Sequence, residues 1–196
     1  MKEKTLLKLE QAKFSDSEIL LDELSKEKSQ LIRRFVAQNK HTSKSTLDRF
    51  LIDQNETVRC SAAENPSVNT ESLEAILDNI DEFSEPQLNM LCMIARNSAC
   101  TNKIIGKLMD LKVGKYIMRD ILCCLAQNIS CPINILEVLL DDNATAAFVL
   151  ANPFITKEFV MNNLHKVNLY FLSKNPNKAL LDQLDLKLLA AYKELV

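Results

Sequence analysis

The chain has 196 residues, 26% of them charged and 47% hydrophobic, and its formal net charge is -2. That balance gives no electrostatic reason to expect DNA, RNA or an anionic membrane as a partner. Two glycines and no tryptophan argue against a sheet-and-turn fold, and two glycines cannot build a glycine-rich phosphate cradle.

In chain order, the opening MKEKTLLKLEQAKF carries charges every few residues and no apolar core, so it reads as neither signal peptide nor membrane span. Residues 1–30 mix those charges with Leu6, Leu9, Ile19, Leu20 and Leu24, as an N-terminal cap would. Within them Ser15-Asp16-Ser17-Glu18 resembles a capping box for a helix running to Lys28. From there an asparagine recurs in one setting, at Asn39, Asn65, Asn97, Asn128, Asn152 and Asn175. Spacings of 23 to 32 residues suit one helix pair per repeat.

Aligning on the asparagine exposes the unit. Three residues before it stand Val36, Ala62, Ile94, Leu125, Val149 and Leu172. Two before it, the first four repeats carry Ala37, Ala63, Ala95 and Ala126, whereas Leu150 and Ser173 break the column; Ala151 then sits one place late, as if a residue were deleted. Eight residues after it come Leu47, Leu73, Ile105, Leu136 and Val160, an apolar stripe of a second helix. Pro66, Pro153 and Pro176 directly follow asparagines, so each first helix is expected to stop there. Candidate N-caps of the second helices are Thr42 or Ser43, Thr70, Thr101, Ser130 or Cys131, and Thr156.

The pattern predicts helices near 5–13, 16–28, 29–38, 44–53, 56–64, 71–80, 86–96, 102–111, 115–127, 133–141, 144–151, 157–164, 167–174, 178–184 and 186–195. Residues 31–184 form the repeats, and residues 185–196, with Leu188, Leu189 and Tyr192, a C-terminal cap. The expected fold is all-α, a single domain over 1–196: a right-handed α-solenoid of about six stacked helical repeats between capping helices.

The string ETVRCSAAENPSVNTESLEAIL at 56–77 resembles the leucine-rich repeat variant family, with Val58, Arg59, Ala62, Ala63, Asn65, Pro66, Leu73 and Leu77 in matching places. Ile32, Arg33, Val36, Ala37, Asn39, Leu47 and Leu51 follow the same unit, as do Leu125, Ala126, Asn128, Pro132, Leu136 and Leu140. The resemblance covers about residues 31–186 and implies an all-helical array similar to HEAT and armadillo repeats. One member type holds an iron-sulfur cluster on N-terminal cysteines; here the first cysteine is Cys60, so no cluster is carried over. The repeats at Asn97 and Asn128 lack the family arginine and approach an ordinary HEAT-like pair.

The repeat register also interprets the cysteines. Cys60, Cys92 and Cys123 lie five residues before their asparagines, and Cys100 and Cys131 three after. Equivalent positions on packed helices are ~8–10 Å apart, too far for one zinc ion or a disulfide, so these are expected to be buried apolar thiols and no metal or cofactor is assigned. The asparagines admit two readings, satisfaction of open backbone groups or a polar groove, and the first is preferred. The two histidines, His41 and His165, fall in distant repeats, and no catalytic motif is present, so no catalytic residue is assigned.

Charge supplies the binding candidates. Acidic Glu71, Glu74, Asp78, Asp81 and Glu82 are followed by basic Lys103, Lys107, Lys112, Lys115 and Arg119. These read either as solvated outer faces or as a bipolar docking surface. The expected protein is a non-catalytic, cytoplasmic scaffold for a protein or peptide, monomeric or weakly dimeric, with no membrane partner. A HEAT-like nucleic-acid binder or DNA-repair glycosylase is the rival reading, with the net charge against it. A structural homodimer is the third.

Overall fold

A computed structural model gives the fold and describes residues 2–80 and 88–185. Among the described residues the chain is all-helical: fourteen α-helices and no strand. It separates into two compact units, Met1–Lys112 and Val113–Val196. No helix of the described residues is long and apolar enough to cross a membrane.

The first unit contains α1 (Lys2–Phe14), α2 (Glu18–Leu24), α3 (Gln30–Gln38), α4 (Lys44–Leu51), α5 (Glu56–Glu64), α6 (Thr70–Asp78), α7 (Leu88–Arg96) and α8 (Asn102–Met109). Odd-numbered helices pack in sequence, α3 between α1 and α5, and α5 between α3 and α7. Of the even-numbered ones, α4 lies on α5 and α3, while α6 packs on α8. The inner odd helices bury one face at helical spacing: α3 buries Ile32, Arg33, Val36 and Ala37, and α5 buries Val58, Ser61, Ala62 and Ala63. Alanine at the close approach lets neighbouring backbones come within hydrogen-bonding reach of the asparagine side chain described below.

The second unit contains α9 (Lys115–Gln127), α10 (Ile133–Leu140), α11 (Asn143–Leu150), α12 (Lys157–Asn162), α13 (Leu169–Leu172) and α14 (Lys178–Gln183). Here α11 is central, packed on α9, α10 and α13. Val149 and Leu150 of α11 and Leu125 and Ala126 of α9 are fully buried. Every buried leucine of this kind contributes about 1.5–3 kcal/mol relative to exposure.

Helix ends follow the expected punctuation in the first four repeats, where α3, α5, α7 and α9 end one residue before Asn39, Asn65, Asn97 and Asn128. In the last two, α11 stops at Leu150 and α13 at Leu172, before Asn152 and Asn175. Ser43, Thr101 and Thr156 accept the cap hydrogen bonds expected of them. Thr70 instead begins α6, behind Asn69, and Pro132 takes the cap position of α10. Ser17, not Ser15, caps α2 by accepting from Leu20 N, and that helix ends at Leu24 rather than Lys28. Its last turn is closed by Ser25, whose hydroxyl donates to Asp22 O at 2.6 Å. The expected helix over 186–195 lies outside the described residues.

Candidate binding site

The recurring asparagine is a structural joint. In Asn65, Nδ2 donates to Ala37 O at 2.8 Å and to Asn39 O at 2.9 Å, while Oδ1 accepts from Ser67 N at 2.9 Å. Asn97 repeats this on Ala63 O, Asn65 O and Ala99 N. In the second unit Asn152 bonds Ala126 O, Asn128 O and Phe154 N, and Asn175 bonds Leu150 O, Asn152 O and Asn177 N. Asn39 reaches Ala12 O and Ser15 O, and Asn128 Oδ1 accepts from Ser130 N.

The amide oxygen therefore closes a local turn, and the amide nitrogen satisfies carbonyls at the end of the equivalent helix one repeat earlier, the groups a helix C-terminus leaves open. All six asparagines are at most 6% exposed. The polar-groove alternative does not hold, because the carboxamides point into the protein. The register is also continuous: Asn175 takes the carbonyl of Leu150, two residues before Asn152, so no residue is deleted in that repeat.

Three residues after the asparagine a buried side chain plugs the turn: Thr42, Val68, Cys100, Cys131 and Ile155. Thr42 Oγ1 donates to Val36 O at 2.5 Å, and the Cys100 thiol contacts the equivalent carbonyl, Ile94 O, at 2.9 Å. Burial pushes the Cys131 thiol up to about 11. Cys60, Cys92 and Cys123 are only half-buried, as is Cys124 outside the ladders, which corrects the expectation that the laddered thiols are buried. Positions four and five before the asparagine lie at the margin of the packed face, where the helix turns toward solvent. No disulfide joins any cysteines, and among the described residues no cluster of three potential ligands could hold a metal ion.

The acidic and basic candidates meet in part. Glu74 on α6 pairs with Lys103 on α8, and Asp78 with Lys107. Its hydrogen bond to the Glu74 carboxylate, together with that negative charge, raises the Lys103 ammonium above its ordinary range. These four residues thus neutralise one another across α6 and α8, while Glu71 stays exposed on the first turn of α6. Lys112 is exposed at the end of the first unit. Lys115 and Arg119 belong to α9 of the second unit, where Arg119 lies 3.8 Å from Asp120 and over the Tyr116 ring. Asp81 and Glu82 lie outside the described residues.

A second charged feature, absent from the expected set, is more deeply seated. Arg33 is 7% exposed. Its Nε and Nη2 grip Asp53 Oδ2 and Oδ1 at 2.8 and 3.0 Å, while Nη1 donates to Glu27 O and Lys28 O. Burial opposes ionisation of Asp53, but the Arg33 hydrogen bonds, the Asn55 amide and the charges of Arg33 and Arg59 together outweigh it and hold the carboxyl below its usual range. One repeat on, Arg59 Nη1 donates to Asp53 O at 2.7 Å, the counterpart of the Arg33–Glu27 bond. Arg59 lines a cleft of about 560 Å³ with Leu51, Ile52, Ile76, Asn79 and Met90. The sequence signal was available: Arg33 and Arg59 both precede their asparagines by six, and Asp53 and Asn79 both follow by fourteen.

Comparison with known proteins finds no matching family model, no matching curated protein and no matching solved structure.

Proposed function

We propose that this chain is a non-catalytic helical-repeat scaffold of the leucine-rich repeat variant type, acting in the cytoplasm, whose surface binds a protein or peptide. The repeating units, about six of them, build a right-handed α-solenoid between terminal caps. The observation that carries this reading is the asparagine joint, which recurs with the same donors and acceptors within each unit. The most regular polar residues are committed to holding one repeat on the previous one, which leaves the variable surface side chains to make contacts. Repeat architectures use such extended surfaces for macromolecular partners.

The test is affinity capture of the tagged full chain from its own cell extract at low and high salt, with and without nuclease. Any captured protein is then purified and titrated back. Saturable rebinding that survives nuclease supports the reading. Salt-sensitive retention of nucleic acid alone would replace it with the nucleic-acid-binding reading.

A further inference from the structure

The repeat contains its own example of carboxylate recognition, and one copy of it is open. At Arg33 the slot is filled from within: the Asp53 carboxylate accepts from Nε and Nη2 in a fork, and Nη1 is anchored on Glu27 O. Advancing by 26 residues, the interval from Asn39 to Asn65, maps Arg33 onto Arg59, Glu27 onto Asp53 and Asp53 onto Asn79. The anchor is conserved in geometry, Arg59 Nη1 on Asp53 O at 2.7 Å. The carboxylate is not, because its position holds Asn79, whose Nδ2 turns back to donate to Ala75 O at 2.6 Å. Among the described residues Arg59 makes that one hydrogen bond and no ion pair, and the neighbouring Asp53 carboxylate is already taken by Arg33.

The space left is the cleft of about 560 Å³, with Arg59, Asn79, Gln54 and the Arg33-bound Asp53 at its polar side and Leu51, Ile52, Ile76 and Met90 supplying apolar wall. Ile52 is 82% exposed at its mouth. A guanidinium anchored through one nitrogen keeps its fork for a planar anion, the arrangement that favours carboxylate over a neutral amide.

We propose that Arg59 is a receptor for a carboxylate side chain of a partner polypeptide, an aspartate or glutamate flanked by aliphatic residues, which takes the place that Asp53 occupies against Arg33. This rests on the scaffold reading and gives it a site. The aliphatic neighbours enter the apolar part of the cleft, and the carboxylate completes the fork.

The probe is the peptide acetyl-Ala-Leu-Asp-Leu-Ala-amide, titrated into the isotope-labelled full chain at millimolar concentration by NMR. Its Asn-for-Asp counterpart is the control. Saturable shifts of the Arg59 Nε–H and the Ile76 and Met90 methyl groups are expected, at least ~10-fold weaker with the Asn peptide, a discrimination of about 1.4 kcal/mol. Arg59→Gln should abolish them. The decisive variant is Asn79→Asp, which rebuilds the internal pair: it should raise the urea midpoint and lose peptide binding together.

Equal response to both peptides, no saturable response, or full binding by Asn79→Asp would overturn the proposal. So would binding that emerges only in the triple variant Asp81→Gln, Glu82→Gln, Glu85→Gln, since the slot would then serve the chain's own acids. Capture of a purified partner by Asn79→Asp as strongly as by the wild type would reject this site while leaving the scaffold reading in place.

Discussion

The side chain of Asn97 donates to the main-chain carbonyl of Asn65 at 3.0 Å, and the same carbonyl accepts the Val68 amide at 3.1 Å. One oxygen thus closes its own turn and receives the next repeat. Replacing Asn97 by alanine removes that donor, a second bond to Ala63 O and the acceptor for Ala99 N, all in a buried setting. The expected loss is about 2–4 kcal/mol in urea unfolding. Asn97→Asp should cost at least as much at neutral pH, because it sets a carboxylate against two carbonyl oxygens, and it should recover partly in acid.

The Arg33–Asp53 clasp predicts a second large effect. The side chains are 9% and 11% exposed, so removing the acid strands a buried guanidinium. Asp53→Asn is expected to destabilise the chain by about 3–5 kcal/mol, read from chemical denaturation. Arg33→Lys should not rescue the fork, since an ammonium cannot match both carboxylate oxygens and the carbonyls of the preceding loop.

Acid stability follows from the same groups. The carboxyl of Asp22 is held well below the ordinary carboxylate range by hydrogen bonds from Lys26, Arg49 and Thr46. Asp53 is also lowered, by the balance given above. A depressed folded-state value stabilises the native protein above the unfolded carboxylate range, near pH ~4, and that contribution is lost as pH falls further. The urea midpoint is therefore expected to be flat from pH 7 to about 5 and to fall steeply below about 4. Asp53→Asn should flatten the acid limb.

Thiol reactivity separates the two cysteine columns. Cys100 and Cys131 are 6% and 8% exposed and plug the turn after their asparagines. N-ethylmaleimide should label neither in the native protein, and up to four of the remaining sites slowly, as counted by intact mass. Because Thr42 makes the same contact to a helix-end carbonyl that Cys100 makes, Cys100→Thr is expected to cost less than about 1.5 kcal/mol.

The exposed ion pairs predict small effects. Lys103 is largely in solvent, 69% exposed in its side chain, and Asp78 is 59% exposed. Lys103→Gln should leave the urea midpoint nearly unchanged and leave partner capture unchanged if Arg59 is the receptor.

Helix positions and asparagine stops were legible because both are local. An apolar period and a Pro after Asn65 or Asn152 speak for themselves. Caps such as Asn55, Asn168 and Asn177 were less visible, since asparagine serves in this chain both as a cap and as the repeat joint. The acidic stretch before a basic one suggested a dipolar surface, yet charges counted along the chain do not reveal that Glu74 and Lys103 face each other across two helices. Arg33 and Asp53 stand twenty residues apart, and their pairing needs the turn after α4 folded back against the start of α3. Once the joint fixes the register, comparing Asp53 with Asn79 exposes the open slot.

The most direct test of the account is a titration of a purified captured polypeptide into the wild-type chain, Arg59→Gln and Asn79→Asp, with nuclease present. The account predicts saturable binding to the wild type, at least ~10-fold weaker in both variants, while circular dichroism shows all three folded. Equal binding by all three would contradict the Arg59 receptor, and retention of nucleic acid alone would contradict the scaffold.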